Sequence, residues 1–478
     1  MTQQTMARPV QLPRSGVFVG QLNLTPDHGS VSTRVAVAGK DLPPNARLQL
    51  IWESYDARWA IEQRDGQDWN EFNGINFNQR IELITAVETD DQGSLHTSFV
   101  VPEDYGGVHD VYLIDPHQDQ KVNKAGFRLD PNVTLTPQSG PLGAPLTVTM
   151  TGLNAAHPME GWYRIWYDNV QAGLLTAVST RGTAQAIIPA VGRAGKHLIE
   201  VKTGAMGQAS FLQVDVSPFA YLPLFKFEFA LTAGPPLLPA PIEEQLQPEN
   251  PVSEPDSALG RPLLWTDYTN VPARSALGLS GRGLPPDTTL ELFWVDMESN
   301  DVNEDFFNTR YSGRRSAIGQ VRTDEHGRFS YRFVPESLQG GARAIEAQLD
   351  GRLLAKTYVR MTPWPYRLAR KSYAIGDPME LEIDGVGWTE TEKILCLVYD
   401  NSYIGYVCGN DLMGKVVAKF SATGAPGWHF LQVYPAIYKK KDYADAFETP
   451  FLYRLPLLNW QDLPHGFHCN YAFQVTEK

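Results

Sequence analysis

WYDNVQAGLLTAVSTRGT (Trp166–Thr183) and VYDNSYIGYVCGNDLMGK (Val398–Lys415) carry the same Tyr-Asp-Asn, with the following glycines in step. Tyr167 is matched by Tyr399, Gly173 by Gly405, Gly182 by Gly414, Gly195 by Gly427 and His197 by His429, each pair 232 positions apart (399 minus 167). The kept residues are those that shape a turn. Asp and Asn bond to local backbone and tolerate left-handed φ, and Gly is retained where the backbone needs positive φ or passes close to a neighbour. The repeat therefore reads as a strand, a tight turn and a returning strand, twice. A ligand role for the repeated Asp-Asn is the alternative to this structural one. His197 and His429 open matching strands and read as satisfied sheet histidines.

The match extends outward. SPFAY from Ser217 keeps step with TPFLY from Thr449, and GAPLTVTMTG from Gly143 matches GDPMELEIDG from Gly376 at a spacing of 233 (376 minus 143). The preceding part of each half repeats as well: AGKDLPPNARLQLIW ending at Trp52 matches SGRGLPPDTTLELFW ending at Trp294, and TDDQGSLHTSFVVP matches TDEHGRFSYRFVP. The chain is organised A-B-A′-B′. Runs such as LTVTMTG, LQLIW and LELFW alternate apolar and polar residues, the period of a half-buried strand. Gly, Pro and Asp turns at roughly ten-residue intervals make each unit a sandwich of about 100 residues.

The composition agrees. The 478 residues exceed one ordinary domain. Gly (40), Pro (35) and a rich aromatic complement of 11 Trp, 20 Tyr and 21 Phe favour strands and turns over long helices. A net charge of −13 opposes any sequence-independent grip on a phosphate backbone, so nucleic acid is not an expected partner. The short basic run Tyr438–Tyr443 reads as a solvated turn. MTQQTMARPVQLPRSG lacks the apolar core of a secretory signal, and the most apolar stretch, from Ser217 to Pro241, is broken by Lys226, Glu228 and prolines, so no transmembrane segment is expected.

VTLTPQSGPLGAPLTVTMTGL (Val133–Leu153) resembles the opening of the IPT/TIG branch of immunoglobulin-like domains. TDEHGRFSYRFVP (Thr323–Pro335), with a later Gly-Gly and an alternating strand, is similar to tandem Ig-like modules of bacterial surface and secreted proteins. The resemblance covers the four domain cores, not the middle linker or the C-terminal tail. The second B copy departs from the opening pattern, reading YRLARKSYAIGDPMELEIDGVGW (Tyr366–Trp388). It implies an all-β chain of four tandem Ig-like sandwiches: A over 1–130 with a long loop insertion, B over 131–225, a Pro-rich acidic linker over 226–261, A′ over 262–362, and B′ with a C-terminal extension over 363–478. Such modules serve as spacers, adhesive units, enzyme appendages and dimerisation units.

No Walker loop, zincin helix, nucleophile elbow or dinucleotide fingerprint is present. Four constellations remain. The A insertion after Trp52 is eight positions longer than its A′ counterpart and places Trp59, Trp69, Phe72 and Phe77 among amides, a composition suited to a protein or glycan surface or to simple burial. After Trp294, Asp296, Glu298, Asp301, Glu304 and Asp305 offer oxygen ligands for a calcium ion, or form a solvated acidic loop. Cys396 and Cys408 are symmetric about Ser402, so they pair across a hairpin or pack as thiols. His465, His468 and Cys469 are metal-donor types, although an aromatic terminal strand explains them more economically. The expected function is non-enzymatic: a modular extracellular or surface protein for adhesion, interaction or assembly through a protein or glycan surface. The alternatives are a glycan-binding protein or accessory part of a carbohydrate-active enzyme, and a hydrolase using carboxylates such as Asp56 and Asp65.

Overall fold

The computed structural model describes residues 12–14, 16–63, 70–156, 160–203, 212–213, 216–218, 220–246, 249–255, 261–299, 311–389, 391–409, 414–436 and 455–477. The basic run at Tyr438–Tyr443 lies outside them.

Four Ig-like β-sandwiches follow one another as a duplicated pair, each with the same strand order. In the first, Gln21–Thr25, Arg34–Lys40 and Leu95–Val100 form a three-stranded sheet. Facing it, in spatial order, are His28–Gly29, Gln120–Leu129, Gly107–Asp115, Arg47–Gln63 and Asn70–Glu88. The leading segment is shared between the two sheets. It pairs antiparallel as Gln21–Thr25, then passes Pro26 and pairs parallel to the last strand as His28–Gly29. Proline has no N–H to give a ladder, so the pairing ends there and the chain changes sheet. Pro137 sits at the same point of the second sandwich, between Asn132–Thr136 and Ser139–Gly140.

Alternation decides the faces. In Pro145–Thr151, Leu146, Val148 and Met150 are buried while the threonines between them are partly exposed. Ile394–Tyr399 breaks this rule, because all six residues are buried. Leu395, Leu397 and Tyr399 cover the fourth core, while on the other face Ile394 and Cys396 pack on Ala436 and Val398 meets the second module, and a strand covered on both faces reads as a continuous apolar run.

The repeated turn is a two-residue hairpin loop. Asp168 and Asn169 have φ of 47° and 66°, and Asp400 and Asn401 have 48° and 60°. Two consecutive positive φ values define the turn that matches strand twist and favours Asn and Asp. Each aspartate then reaches across the sheet. Asp168 accepts from Leu198 N (2.9 Å) and bonds His197 Nδ1; Asp400 does the same with Phe430 N (2.9 Å) and His429 Nδ1. The other ring nitrogens bond the carbonyls of Arg193 and Ala425, each at 2.8 Å. Tyr167 and Tyr399 donate to Val191 O (2.8 Å) and Thr423 O (2.6 Å). Tyr, Asp and His are thus kept as one lock between hairpin and sheet.

The segment expected as a linker is largely built into the modules. Phe225–Leu231 is a strand of the second sandwich, paired along Gly195–Thr203. Ile242 and Leu246 enter the fourth core beside the one-turn helix Ile242–Gln245, and Glu249–Pro251 adds to the larger sheet of the third sandwich. The second sandwich therefore runs past residue 225, and the connector crosses from the second module over the fourth to the third.

Modules within a pair meet backbone to backbone. Gly106 N donates to Leu153 O (3.0 Å), and Gly340 N to Val386 O (3.1 Å). A Cβ at Gly106 would overlap the carbonyl oxygen of Gly152, and one at Gly340 that of Gly385. The two B modules also pack on each other. Val398, Phe430, Tyr434 and Leu458 of the fourth module belong to the apolar cluster of the second, and Asn401 Nδ2 donates to Pro189 O (2.8 Å).

Cys396 and Cys408 are not joined by a disulfide. The hairpin turns at Asp400–Asn401 rather than at Ser402, and a bulge between Leu397 and Val398 shifts the register, so Cys396 faces Tyr406 and Cys408 faces Ile394.

Candidate functional site

The first sandwich carries a long central hairpin. Arg47–Gln63 and Asn70–Glu88 pair from Arg47↔Glu88 out to Gln63↔Asn70, yet the neighbouring strand Gly107–Asp115 pairs with the first of them only over Gln49–Trp52. Beyond Trp52 the ribbon leaves its sheet and continues over the second module.

Its root is fixed by a buried carboxylate. Asp104, fully buried, accepts from Trp52 Nε1 (2.7 Å), Ser54 Oγ (2.8 Å), Tyr105 N (2.8 Å) and Arg80 (2.7 Å). Arg80 also meets Asp56 (3.3 Å) and Glu82, and His109 stacks on Trp52 with ring centroids 4.4 Å apart. A carboxylate with several donors is stably held in low dielectric. Above it Tyr55 stacks on Tyr105 at 4.6 Å, and Tyr105 donates to Val178 O (2.6 Å) of the second module while accepting from Ala57 N (3.1 Å).

The ribbon is clasped from the far end of the chain. Trp59 Nε1 donates to Asp462 O (2.8 Å). The Asp462 carboxylate, buried, bonds Thr176 Oγ1 (2.5 Å), Val178 N (3.0 Å) and Ser179 N (2.6 Å) of the second module. Burial pushes its carboxyl above the usual range, against these hydrogen bonds. Leu457 and Leu463 fill the space between Trp59, Tyr105, Trp162, Leu174 and Val178. Leu174 N donates to Pro456 O (2.8 Å) and Leu458 N to Leu174 O (2.9 Å), so the tail also covers the edge strand Val170–Leu175. An uncovered edge would template pairing with another chain.

The expected binding residues therefore separate. Trp59 is 5% exposed and its indole is committed, so it holds the clasp rather than facing solvent. Phe77 is 45% exposed, set edge-on against Tyr55 at 5.3 Å, with Asn76, Asn78 and Gln79 exposed beside it. Phe72 lies on the second strand of the ribbon, opposite Ile61. Trp69 lies outside the described residues, as does Asp65; Asp56 is ion-paired to Arg80 and to Arg181 (3.2 Å).

The acidic residues after Trp294 also separate. Asp301, Glu304 and Asp305 lie outside the described residues. Asp296 and Glu298 stand on the strand Thr289–Ser299, not in a loop. Asp296 accepts from Trp294 Nε1 (2.9 Å) and faces Arg343 (3.9 Å) and Arg314 (3.8 Å), and Glu298 pairs with Arg314 (2.6 Å). Among the described residues no three His, Cys, Asp or Glu side chains gather as a metal site. Cys469 is buried in the fourth core, His468 lies tilted against Tyr434 at 4.6 Å, and His465 lies in a turn, so the tail donors do not converge. Sequence reasoning missed Asp104, which anchors the ribbon's root, and Tyr105 and Asp462, which act across junctions.

No family model matches the chain, and no curated protein matches it. Among solved structures it is similar to Salmonella alpha-2-macroglobulin reacted with methylamine, at 10% identity and a TM-score of 0.19 over 97% of this chain. The chain spans about a third of that protein, covering 31% of it. A tetra-tandem repeat in the extending region of a large adhesion protein matches at 11% identity and a TM-score of 0.19, covering 93% of this chain and 96% of that one. Invasin, a bacterial integrin-binding protein, matches at 12% identity and a TM-score of 0.20, covering 96% and 79%. At these scores no residue of one chain is placed on another, and the fold rests on the sheets described above. Among the described residues no helix is long and apolar enough to cross a membrane.

Proposed function

We propose that the chain is a non-enzymatic, modular interaction protein of the extracellular or cell-surface kind, whose Ig-like sandwiches, IPT/TIG-like in the B modules, hold the first-module ribbon toward a partner protein. The observation that carries this reading is the ribbon itself. It extends past its own sheet, is clamped on its inner side by Trp59 and Tyr105, and leaves Phe77 outward on a strip of amides. An aromatic ring already supported from behind loses little conformational freedom on binding, and amides around it supply adaptable hydrogen bonds. The −13 charge keeps the chain soluble and disfavours acidic partners.

Protein and glycan arrays probed with the intact chain and with Phe77→Ala test this. Binding to a protein ligand that weakens about tenfold or more in Phe77→Ala, with the same urea unfolding curve, is the expected result. Binding confined to glycans, or indifferent to Phe77, overturns it.

A further inference from the structure

A cavity of about 430 Å³ opens where the second sandwich, the connector and the fourth sandwich meet. Ile187 comes from the strand Ala184–Pro189, Leu237 and Leu238 from the connector, and Phe430 from the strand Gly427–Pro435. Trp460 closes it from the C-terminal tail. Among the described residues no Asp, Glu, Lys or Arg lines it. His468, also in the wall, stacks on Trp460 (6.0 Å) with Tyr434 tilted against it (4.6 Å), and burial pushes its imidazole down to about 4, so these wall residues are uncharged at neutral pH.

Two wall residues carry a buried polar atom without a hydrogen-bond partner, Gln432 Oε1 and His468 Nε2. Gln432 is 3% exposed, and its amide nitrogen is committed to Tyr434 Oη (2.7 Å) and Asn470 Oδ1 (3.0 Å), which leaves the oxygen as the open end. A buried acceptor without a donor loses its hydration in water and gains nothing in return. Such orphans are rare enough in folded proteins to need an explanation.

We propose that this cavity binds a neutral, largely apolar small molecule carrying one hydrogen-bond donor, packed against Phe430 and Trp460 with the donor directed to the Gln432 amide. The volume lies in the range that encloses a drug-sized ligand, about 300–1,000 Å³. A charged ligand would lose its hydration with no counter-charge in the wall. Because three separate segments form the walls, occupancy also favours the docked arrangement of the two B modules.

N-phenyl-1-naphthylamine is the probe: uncharged, aromatic, fluorescent in apolar surroundings and bearing one N–H. Titrated into the full chain, it is expected to saturate one site. The double variant Ile187→Glu/Leu238→Arg should weaken it at least tenfold without moving the unfolding midpoint, since both side chains are about half exposed in the cavity mouth. Val417→Glu, a surface change elsewhere, should leave binding unaltered. The N-methylated probe, without the donor, and the 8-sulfonate analogue, with a charge, should each bind at least tenfold more weakly. Unsaturable uptake, binding indifferent to the mouth variant, or equal affinity for the sulfonate overturns the proposal.

Discussion

Trp52 and Trp294 occupy the same position in the repeat, and each indole N–H meets a carboxylate, but the carboxylates come from different places. In the first module Asp104 arrives from the loop before Gly107–Asp115; in the third, Asp296 stands two residues beyond the tryptophan on the same strand. Ser54 fills the Asp296 position in the first copy and donates to Asp104. Asp296→Asn should leave Arg343, fully buried and already lowered to about 9 by burial, without its counter-charge. Breaking a buried pair in this way costs about 3–5 kcal/mol. Urea unfolding should show that loss equally with calcium and with chelator, because the carboxylate is engaged by arginine and indole. A second residue-scale test concerns His429. Burial lowers its pKa, but the hydrogen bond and charge of Asp400 outweigh this and raise it overall. A raised folded-state pKa gives stability that is full below the unfolded value near 6.5 and is lost as pH rises through the folded value. The gap in stability between the parent and His429→Gln should therefore be widest in mild acid and narrow toward alkaline pH. The Tyr-Asp-His lock was visible in the sequence as three residues kept in step, whereas the role of Asp104 was not, because three of its four donors, Trp52, Ser54 and Arg80, lie 24 to 52 positions away.

At the scale of elements, strands and turns followed local rules and junctions did not. Alternation and the Tyr-Asp-Asn hairpins were legible because each depends on neighbours two to four residues away. Of the two readings open for Cys396 and Cys408 the structure shows thiols, because register depends on where the turn is centred and on a bulge, and symmetry about Ser402 supplies neither. The Pro-rich acidic stretch reads as an extended connector, yet Glu249–Pro251 finds an open strand to pair with, and Phe225–Leu231, too aromatic for a free linker, does the same. Gly106 and Gly340 mark the hinge element of each pair. Gly106→Ala and Gly340→Ala should each force the modules apart, because the opposing atom is backbone and cannot rotate away. A destabilisation on the order of 2 kcal/mol is expected, with a longer maximum dimension by small-angle scattering. An alanine at Gly351, which has open space around the new Cβ but a φ of 75°, should cost about 1 kcal/mol and leave the dimension unchanged.

The whole molecule is closed by residues 455–463. These residues of the fourth module lie along the edge of the second and reach the first through Trp59, so the two halves are joined by packing as well as by the connector. Asp462→Ala removes three acceptor contacts in a dry site, and Trp59→Ala removes a buried aromatic, a change that costs about 3–5 kcal/mol in a packed interior. Either variant should split a single unfolding transition into two and speed proteolysis after the second module. Coincident single transitions in parent and variants would show that the clasp does not couple the halves. The sequence by itself determined the all-β class, the duplication, the number of sandwiches and the hairpin turns, because these follow from periodicity and from φ preferences written into short stretches. Only the tertiary structure decided that Trp59 faces inward while Phe77 faces outward, that the tail serves the first half, and that an uncharged cavity forms between the B modules. Those outcomes depend on which surfaces meet across some 400 residues of chain (|i−j| of 403 for Trp59 and Asp462), and no local pattern encodes a contact at that distance.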